Sequence, residues 1–310
     1  MLISRFLNLP LILEKKSYFL LGPRQTGKTS LIRETMTDCR VYNLLEFETF
    51  LRLNQDPSRL RSELKGYKGI VVIDEIQKMP VLLDQVQILI EEQKLHFLLT
   101  GSSARKLRRS GVNLLGGRAR TLRMHALTSM ELGEHFDLMR AINFGTLPAI
   151  YFSEEPKADL QAYAGEYLKE EIAAEGLTRN VPAFSRFLQV AALSNGQIIN
   201  YQAISSDAAV PRTTVQEYFS ILKDTLIAEE LEPWRKTKKK NLWQQVSSTS
   251  LMSALLITYK MRARLSKNRS FLAMLSNLLS SKNWLHIVTM SLKERFTTGG
   301  RKIDARLILF

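Results

Sequence analysis

The amino-acid sequence predicts an α/β fold with a mainly parallel sheet, followed by a smaller helical domain. Three apolar runs of strand length, at 17–21, 69–73 and 96–100, predict buried parallel strands. Segments with helical spacing separate these runs, and alternation of strands and helices is typical of a parallel sheet covered by helices. In such a sheet, ligands bind at the carboxyl ends of the strands, so the residues that follow each run are the first candidates for function.

The residues after the first strand have the spacing of a phosphate-binding loop. Their order is G-x-x-x-x-G-K-T-S, with these members: Gly22, Pro23, Arg24, Gln25, Thr26, Gly27, Lys28, Thr29 and Ser30. The two glycines let the backbone turn so that N–H groups point at a phosphate, and the helix that begins at Lys28 adds its dipole. We expect Lys28 to reach the β- and γ-phosphates of a nucleotide and Thr29 to place its hydroxyl on Mg²⁺.

Two carboxylates, Asp74 and Glu75, follow four consecutive β-branched residues at the end of the second run. That end of the strand faces the ligand crevice of a doubly wound sheet. Asp74 is placed to hold Mg²⁺, usually through water, and Glu75 to polarise an attacking water. The alternative is a solvated strand end, which the phosphate loop upstream makes the weaker interpretation.

Further candidates for contact with the γ-phosphate are Ser102 and Arg118. Ser102 follows the third run, which we expect beside the Asp-Glu strand, and Thr100 is a second candidate for the same role. The alternative for Ser102 is a plain turn that caps a helix over 104–110. Arg118 follows a glycine pair and is a candidate to reach a γ-phosphate in cis, or in trans across a subunit interface. A solvated arginine fits the sequence equally well.

Five segments, in this order, carry a resemblance: GPRQTGKTS, IVVIDEIQKMP, FLLTGSSARKL, LLGGRARTLRMHALTSMEL and FGTLPAI. Over roughly residues 3–233 the chain resembles a widespread prokaryotic group of predicted AAA+-superfamily P-loop ATPases, whose nucleotide domain precedes a C-terminal domain of unknown function. The resemblance implies that residues 22–29 form the Walker A motif, that Asp74 and Glu75 form Walker B, and that Ser102 lies at the sensor position. It also implies ATP rather than another nucleotide, because the chain has no guanine-reading motif.

We assign residues 1–150 to the ATPase domain, 151–233 to a helical linker and the winged-helix-like part of a second domain, and 234–310 to a basic tail. A helical pattern at 156–177 leads into the second domain, and the three helical patterns at 182–192, from 201 and from 211 resemble a helix-turn-helix or winged-helix unit. The last helix lacks the concentrated basic face that phosphate binding requires. Its polar side chains are of mixed charge: Arg212, Thr213, Thr214, Gln216, Glu217 and Asp224. Contact with DNA and a packing or partner-binding role both stay open.

Composition narrows the class of protein. The single cysteine, Cys39, leaves no disulfide framework and predicts a reduced, cytoplasmic protein. No apolar run is long enough for a membrane span, and no signal-peptide pattern follows the N-terminus, so we expect no contact with membranes. The histidines have no metal-ligand spacing, which predicts no zinc site.

The tail differs in charge from the rest of the chain. Residues 234–310 contain 16 Lys and Arg but 2 Asp and Glu, whereas residues 1–233 contain 28 of each kind. The net charge of +14 therefore belongs entirely to the tail. In the family that the chain resembles, a basic run leads into a K-F-Y-F-F-D-x-G-V segment and then a G-x-x-F-E segment of a nuclease-like fold. Here the sequence after Lys240 matches neither segment.

Codon arithmetic offers a reason for this mismatch. When the last base of each codon is read with the first two bases of the next, codons from Asn241 permit P-V-A-T-S-K-F-Y-F-F-D-V-G-V, and codons 271–277 permit F-G-D-A-F-E. Residues 238–241 can be encoded by an almost unbroken run of adenines, where a one-base slip is easy. We hypothesise that residues from about 241 are out-of-frame translation, so that the tail is poorly ordered and the second domain incomplete. The alternative is a genuine basic tail.

The predicted function is Mg²⁺-dependent binding and hydrolysis of ATP that drives a conformational change, in a homo-oligomer or with a protein partner. Two alternatives stay open. One is a nucleotide-gated DNA-binding protein in which hydrolysis is incidental, and the other is a truncated product without function.

Overall fold

A computed structural model describes residues 3–102, 107, 115–167, 172, 180–194 and 199–231, together with short strands at 247–249, 297–298 and 301–302. The predicted helix over 104–110 lies outside the described residues except for Leu107. Residues 168–171 and 173–177 of the predicted helix over 156–177 also lie outside them.

Five parallel strands form the central sheet, in the order β2-β3-β4-β1-β5. The strands are β1 (Ser17–Leu21), β2 (Cys39–Asn43), β3 (Ile70–Asp74), β4 (His96–Gly101) and β5 (Ala119–Arg123). The prediction of an α/β fold with a mainly parallel sheet is confirmed. Because β4 lies between β1 and β3, the loop after β1 and the two carboxylates at the end of β3 stand on either side of the end of β4.

Helices cover the sheet on both faces. They are α1 (Leu9–Leu13), α2 (Lys28–Thr35), α3 (Phe47–Gln55), α4 (Arg59–Glu63) and α5 (Leu82–Gln93), with a 3₁₀ turn at Ile76–Lys78. One face of the sheet packs on α1 and α2 around Leu9, Leu20 and Leu98. The other face packs on α3, α4 and α5 around Phe97 and Leu99. Alternate residues of a strand point to opposite faces, which is why neighbours such as Leu98 and Leu99 belong to different cores.

Short helices follow the sheet and lead into the helical part. They are α6 (Ser129–Leu132), a 3₁₀ turn at Gly133–His135, α7 (Leu138–Phe144) and α8 (Pro148–Tyr151). The Thr128 side chain accepts a hydrogen bond from the Glu131 N–H and the Glu131 carboxylate accepts one from the Thr128 N–H, which is a reciprocal capping box at the start of α6.

The helical part consists of α9 (Pro156–Glu166), α10 (Val181–Leu193), α11 (Tyr201–Ala208) and α12 (Arg212–Asp224). Helix α10 packs on α11, and α11 packs on α12. Their shared core is rich in aromatic rings, and it also takes in Leu147 and Ile150, which the sequence assigned to the ATPase domain. Strand β6 (Glu229–Leu231) follows and pairs antiparallel with β7 (Ser247–Thr249). The winged-helix assignment stays a prediction.

Most of the predicted out-of-frame tail lies outside the described residues. Beyond β7, the described residues of the tail form one antiparallel pair, β8 (Thr297–Thr298) with β9 (Arg301–Lys302). In the part of the chain that the structure describes, no helix has both the length and the apolar character that a membrane span needs.

Candidate functional site

The loop between β1 and α2 is tightly constrained. A Cβ atom on Gly22 would lie 2.2 Å from the carbonyl oxygen of Met124, directly after β5, so any larger residue would collide with backbone. Gly22 is therefore required by close packing, whereas the sequence predicted a turning role for it. Gln25 has a left-handed φ of 61°, and the buried Thr26 hydroxyl donates to the Pro23 carbonyl oxygen at 2.9 Å.

Lys28 stands at the start of α2 with its side chain folded into this loop. Its Nζ donates to the carbonyl oxygens of Gly22 at 2.7 Å and Pro23 at 2.9 Å, and the residue is 6% exposed. A buried ammonium needs acceptors around it, and the two carbonyls supply them. The phosphate-binding loop thus encloses the ammonium group of Lys28.

The first turn of α2 has no side-chain cap, because its N-cap residue is Gly27. The first N–H groups of a helix have no intrahelical acceptor, and the helix dipole concentrates positive potential there. Together with Lys28, this end of α2 has the donors and the charge that attract a phosphate. The predicted loop residues Arg24, Gln25, Thr29 and Ser30 are exposed at the same end of the sheet.

Asp74 connects three elements. Its Oδ2 accepts a hydrogen bond from Thr29 Oγ1 at 3.1 Å, and its Oδ1 accepts one from Thr100 Oγ1. Asp74 is 3% exposed, so these hydroxyls replace the water that a buried carboxylate needs. Mg²⁺ prefers hard oxygen ligands, usually carboxylates together with the phosphate oxygens of a bound nucleotide. The Thr29 hydroxyl and the Asp74 carboxylate offer such oxygen atoms. The donor set therefore fits the predicted Mg²⁺ ligands.

Glu75 leaves the strand in a left-handed conformation, with φ 61° and ψ 44°. Its backbone N–H donates to Thr100 Oγ1 at 3.1 Å, and its carboxylate accepts a hydrogen bond from the Gln77 side chain. The Gln77 Nε2 also lies 3.4 Å from Ser102 Oγ, so Glu75 and Ser102 share this amide as a neighbour. The structure thus brings Ser102 and Thr100 to the Asp-Glu end of the sheet.

Gln77 is a functional candidate that reading the sequence missed. The one signal in the sequence is its position two residues after Glu75, in the segment IVVIDEIQ. A glutamine at that position suggests no chemistry until the 3₁₀ turn folds its side chain back over Glu75.

Arg118 lies far from the other predicted residues. It precedes β5, and Ala119 pairs with Ser17 at the amino end of β1, whereas the phosphate loop follows the carboxyl end of β1. At about 3.3 Å per residue, the five residues of β1 place these two ends roughly 16 Å apart. Arg118 forms an ion pair with Glu91 at 2.5 Å. The structure does not bring Arg118 to its own loop, which is the arrangement that the cis alternative needs.

The helical part touches the phosphate loop. Tyr163 on α9 donates from its hydroxyl to the Arg24 carbonyl oxygen at 3.5 Å, and Tyr167 and Thr225 hydroxyls lie 3.0 Å apart nearby. Between the two parts is a narrow cleft of ≈ 10 Å³, about the space of one water molecule, which Ser102 also lines. Pro23 and Arg24 of the loop thus line the same cleft as Tyr163 and Tyr167 of the helical part.

Cys39 offers no second site of reaction. Burial raises the pKa of its thiol, and the negative charge of Asp38 adds to that shift. A thiol with a raised pKa is less often a thiolate, and the thiolate is the reactive form.

Comparison with known families divides the chain into two parts. Residues 14–133 match the family model described as an AAA domain, and residues 135–246 match a domain of unknown function. Uncharacterized proteins of Mycobacterium bovis and Mycobacterium tuberculosis are each 26% identical over 226 residues, which is 69% of this chain and 49% of theirs. The chain thus spans about half the length of these curated relatives.

Two solved structures are distantly similar. One is the Aeropyrum pernix ORC1 protein in complex with DNA, at 14% identity and a TM-score of 0.32, covering 89% of this chain and 95% of that one. The other is a DNA replication initiation factor, at 12% identity and a TM-score of 0.27, covering 69% of this chain and 85% of that one. Superpositions this loose carry no weight for function. The parallel sheet and the match to an AAA domain support a P-loop ATPase domain in this chain, followed by a domain of unknown function.

Proposed function

We propose that this protein binds ATP together with Mg²⁺ at the loop of residues 22–30 and hydrolyses it, and that this cycle moves the helical part. The observation that carries the proposal is the hydrogen bond between Thr29 and Asp74, 3.1 Å long, beside the uncapped start of α2. It joins the phosphate-loop helix to the acidic strand across the end of β4, so cation ligands and phosphate donors meet at one place.

Each residue has a defined role in this proposal. Lys28 exchanges its carbonyl acceptors for the β- and γ-phosphate oxygens, which are stronger, charged acceptors. Thr29 and Asp74 hold Mg²⁺, which neutralises charge on the phosphates when bound. Glu75 polarises the water that attacks the γ-phosphorus while the bond to the bridging oxygen of ADP breaks. Ser102 contacts the γ-phosphate or that water.

The movement is proposed from the contact between Tyr163 and Arg24. Arg24 belongs to the phosphate loop, and its carbonyl oxygen accepts the Tyr163 hydroxyl of α9. A phosphate that reshapes the loop would displace that carbonyl, and the cleft beside it is narrow, with about the space of one water molecule. The helical part then shifts with the state of the loop, since packed interiors move as units. Arg118 keeps a role at a γ-phosphate only in trans, within a homo-oligomer.

The test is equilibrium binding of ATP and Mg²⁺-dependent phosphate release by the Lys28→Ala variant. We expect at least about a 100-fold loss of affinity, because the variant removes the ammonium that lies inside the loop. Lys15→Ala, at an exposed position before β1, is the matched control and should bind ATP like the parent. A Lys28→Ala variant that binds ATP as tightly as the parent contradicts the assignment of the phosphate loop.

A nucleotide-gated DNA-binding role is the alternative. The exposed face of α12 presents Arg212 and Thr213 but also Glu217, so no specific observation favours DNA over a protein partner. Turnover measured with and without duplex DNA, at two salt concentrations, separates the two functions. A DNA-binding module should show salt-dependent binding and a DNA-dependent rate.

A further inference from the structure

The Gln77 side chain occupies a position that links two functional residues. It stands on the 3₁₀ turn Ile76–Lys78, directly after Glu75, and is 8% exposed. Its Nε2 donates to Glu75 Oε2 and lies 3.4 Å from Ser102 Oγ. Glu75 follows β3 and Ser102 follows β4, so one amide group connects the ends of two neighbouring strands.

Chemistry determines which way this amide points. With the amide turned over, Oε1 would face the Glu75 carboxylate, and two acceptors without a hydrogen between them repel each other. In the orientation observed, Oε1 is buried and has no hydrogen-bond partner among the described residues. An unpaired buried acceptor lowers stability. The position of Gln77 is thus explained by its donors and not by a fully satisfied hydrogen-bond network.

Gly101 makes room for this arrangement. A Cβ atom at Gly101 would lie 2.5 Å from Gln77 Oε1, inside van der Waals contact. The φ of Gly101 is not positive, so its backbone conformation alone does not require glycine. The missing side chain at the end of β4 is what allows the Gln77 amide to lie between Glu75 and Ser102.

We propose that Gln77 is a positioning residue that fixes the Glu75 carboxylate for attack on the γ-phosphate and ties its orientation to Ser102. The hydrogen bond from Gln77 to Oε2 fixes the orientation of the Glu75 carboxylate, so that Oε1 faces the attacking water. Because the same Nε2 neighbours Ser102 Oγ, a phosphate contact at Ser102 changes the acceptor set of Gln77 and therefore the setting of Glu75. This inference rests on the proposed ATP hydrolysis.

The test is a steady-state and binding comparison of Gln77→Met with the parent. Methionine has about the same length and is equally easily buried, but it lacks both the N–H donors and the oxygen acceptor of the amide. We expect kcat to fall roughly 10- to 100-fold while the KM and the equilibrium affinity for ATP change less than about 2-fold. Gln85→Met is the matched control, because Gln85 on α5 also has a buried amide oxygen that finds no hydrogen-bond partner among the residues that the structure describes. Its kcat should equal that of the parent.

A double-mutant cycle separates positioning from a general structural role. If Gln77 acts through Glu75, adding Gln77→Met to Glu75→Gln should lower the residual kcat by less than about 2-fold. Three results would each overturn the inference: a parental kcat in Gln77→Met, a loss of ATP affinity as large as the loss of kcat, or independent, additive losses in the cycle. In each case, turnover by the parent leaves the proposed function standing. A parent without Lys28-dependent turnover overturns the proposed function and this inference together.

Discussion

The carboxyl end of the sheet and the core of the helical part bury side chains of opposite character. Of the eight buried polar or charged residues among those described, six lie at the site, one, Thr225, in the helical part, and one, Ser17, at the amino end of β1. The six are Thr26, Lys28, Asp74, Gln77, Thr100 and Ser102. The helical core instead stacks aromatic rings, with the Phe187 ring 5.0 Å from Phe219 and 5.2 Å from Tyr218.

This difference indicates that the site carries a cost in stability, although Gln85 Oε1 on α5 is also buried without a hydrogen-bond partner among the described residues. Burying a polar group is unfavourable unless hydrogen bonds replace its water, and Gln77 Oε1 has no such bond among the described residues. The aromatic core has no comparable cost, since burial of apolar area and edge-to-face ring contacts both stabilise it. Polar burial concentrated at one end of a sheet is the pattern expected of a functional site.

The largest expected effect concerns whether the helical part belongs to a complete domain. We propose that residues from about 241 are translated out of frame, and the match to the domain of unknown function ends at residue 246, close to the proposed slip. Sequencing the gene across codons 236–280 should reveal K-F-Y-F-F-D-V-G-V and F-G-D-A-F-E in the neighbouring frame. Restoring one base should then yield a longer and more soluble protein. If the neighbouring frame lacks these motifs, the hypothesis of out-of-frame translation is wrong.

The next effect is on turnover. Glu75→Gln should keep ATP affinity but lower kcat about 100- to 1,000-fold, because the amide preserves shape and cannot polarise water. Asp74→Asn should instead raise the Mg²⁺ concentration needed for half-maximal rate, since Asp74 is the carboxylate bonded to Thr29. Phosphate release titrated with Mg²⁺ distinguishes the two variants. Near-parental rates in both would remove the acidic pair from the mechanism.

A substitution in the aromatic core tests the other side of the comparison. Phe187→Ala should lower the free energy of unfolding of the helical part by about 3–5 kcal/mol, because Phe187 is fully buried. Urea denaturation followed by limited proteolysis measures this loss. ATP affinity should stay near that of the parent, since the cores under the sheet are separate clusters. Leu193→Ala, on the same helix but 56% exposed, is the matched control.

The smallest effect is expected where the two regions meet. Tyr163→Phe removes the hydroxyl that contacts the Arg24 carbonyl oxygen and keeps the ring. A neutral hydrogen bond is worth about 0.5–1.5 kcal/mol, so we expect kcat and KM to change only a few-fold. Hydrogen exchange in α9, compared with and without ATP, should lose most of its dependence on nucleotide. If that dependence persists unchanged, the Tyr163 contact does not couple the loop to the helical part.

The sequence by itself determined the fold class and most of the strand positions. Apolar runs of strand length and the G-x-x-x-x-G-K-T spacing are local signals, because a strand and a phosphate loop are built from neighbouring residues. Predicted strands at 17–21, 69–73 and 96–100 correspond to β1, β3 and β4 within one residue at each end. The roles of the predicted site residues stay predictions, although the structure places Lys28, Asp74, Glu75 and Ser102 at one end of the sheet.

Only the tertiary structure decided the contacts between segments distant in sequence. The strand order places β4 between the loop and the acidic pair, which makes Thr100 a partner of Asp74. A side chain at Gly22 would meet the Met124 backbone, and one at Gly101 would meet the Gln77 amide. No sequence spacing predicts either contact. Arg118 lies at the amino end of the sheet, opposite the phosphate loop, because β5 runs parallel to β1 and Arg118 precedes it. Such pairings arise from packing in three dimensions, where residues far apart along the chain compete for the same space.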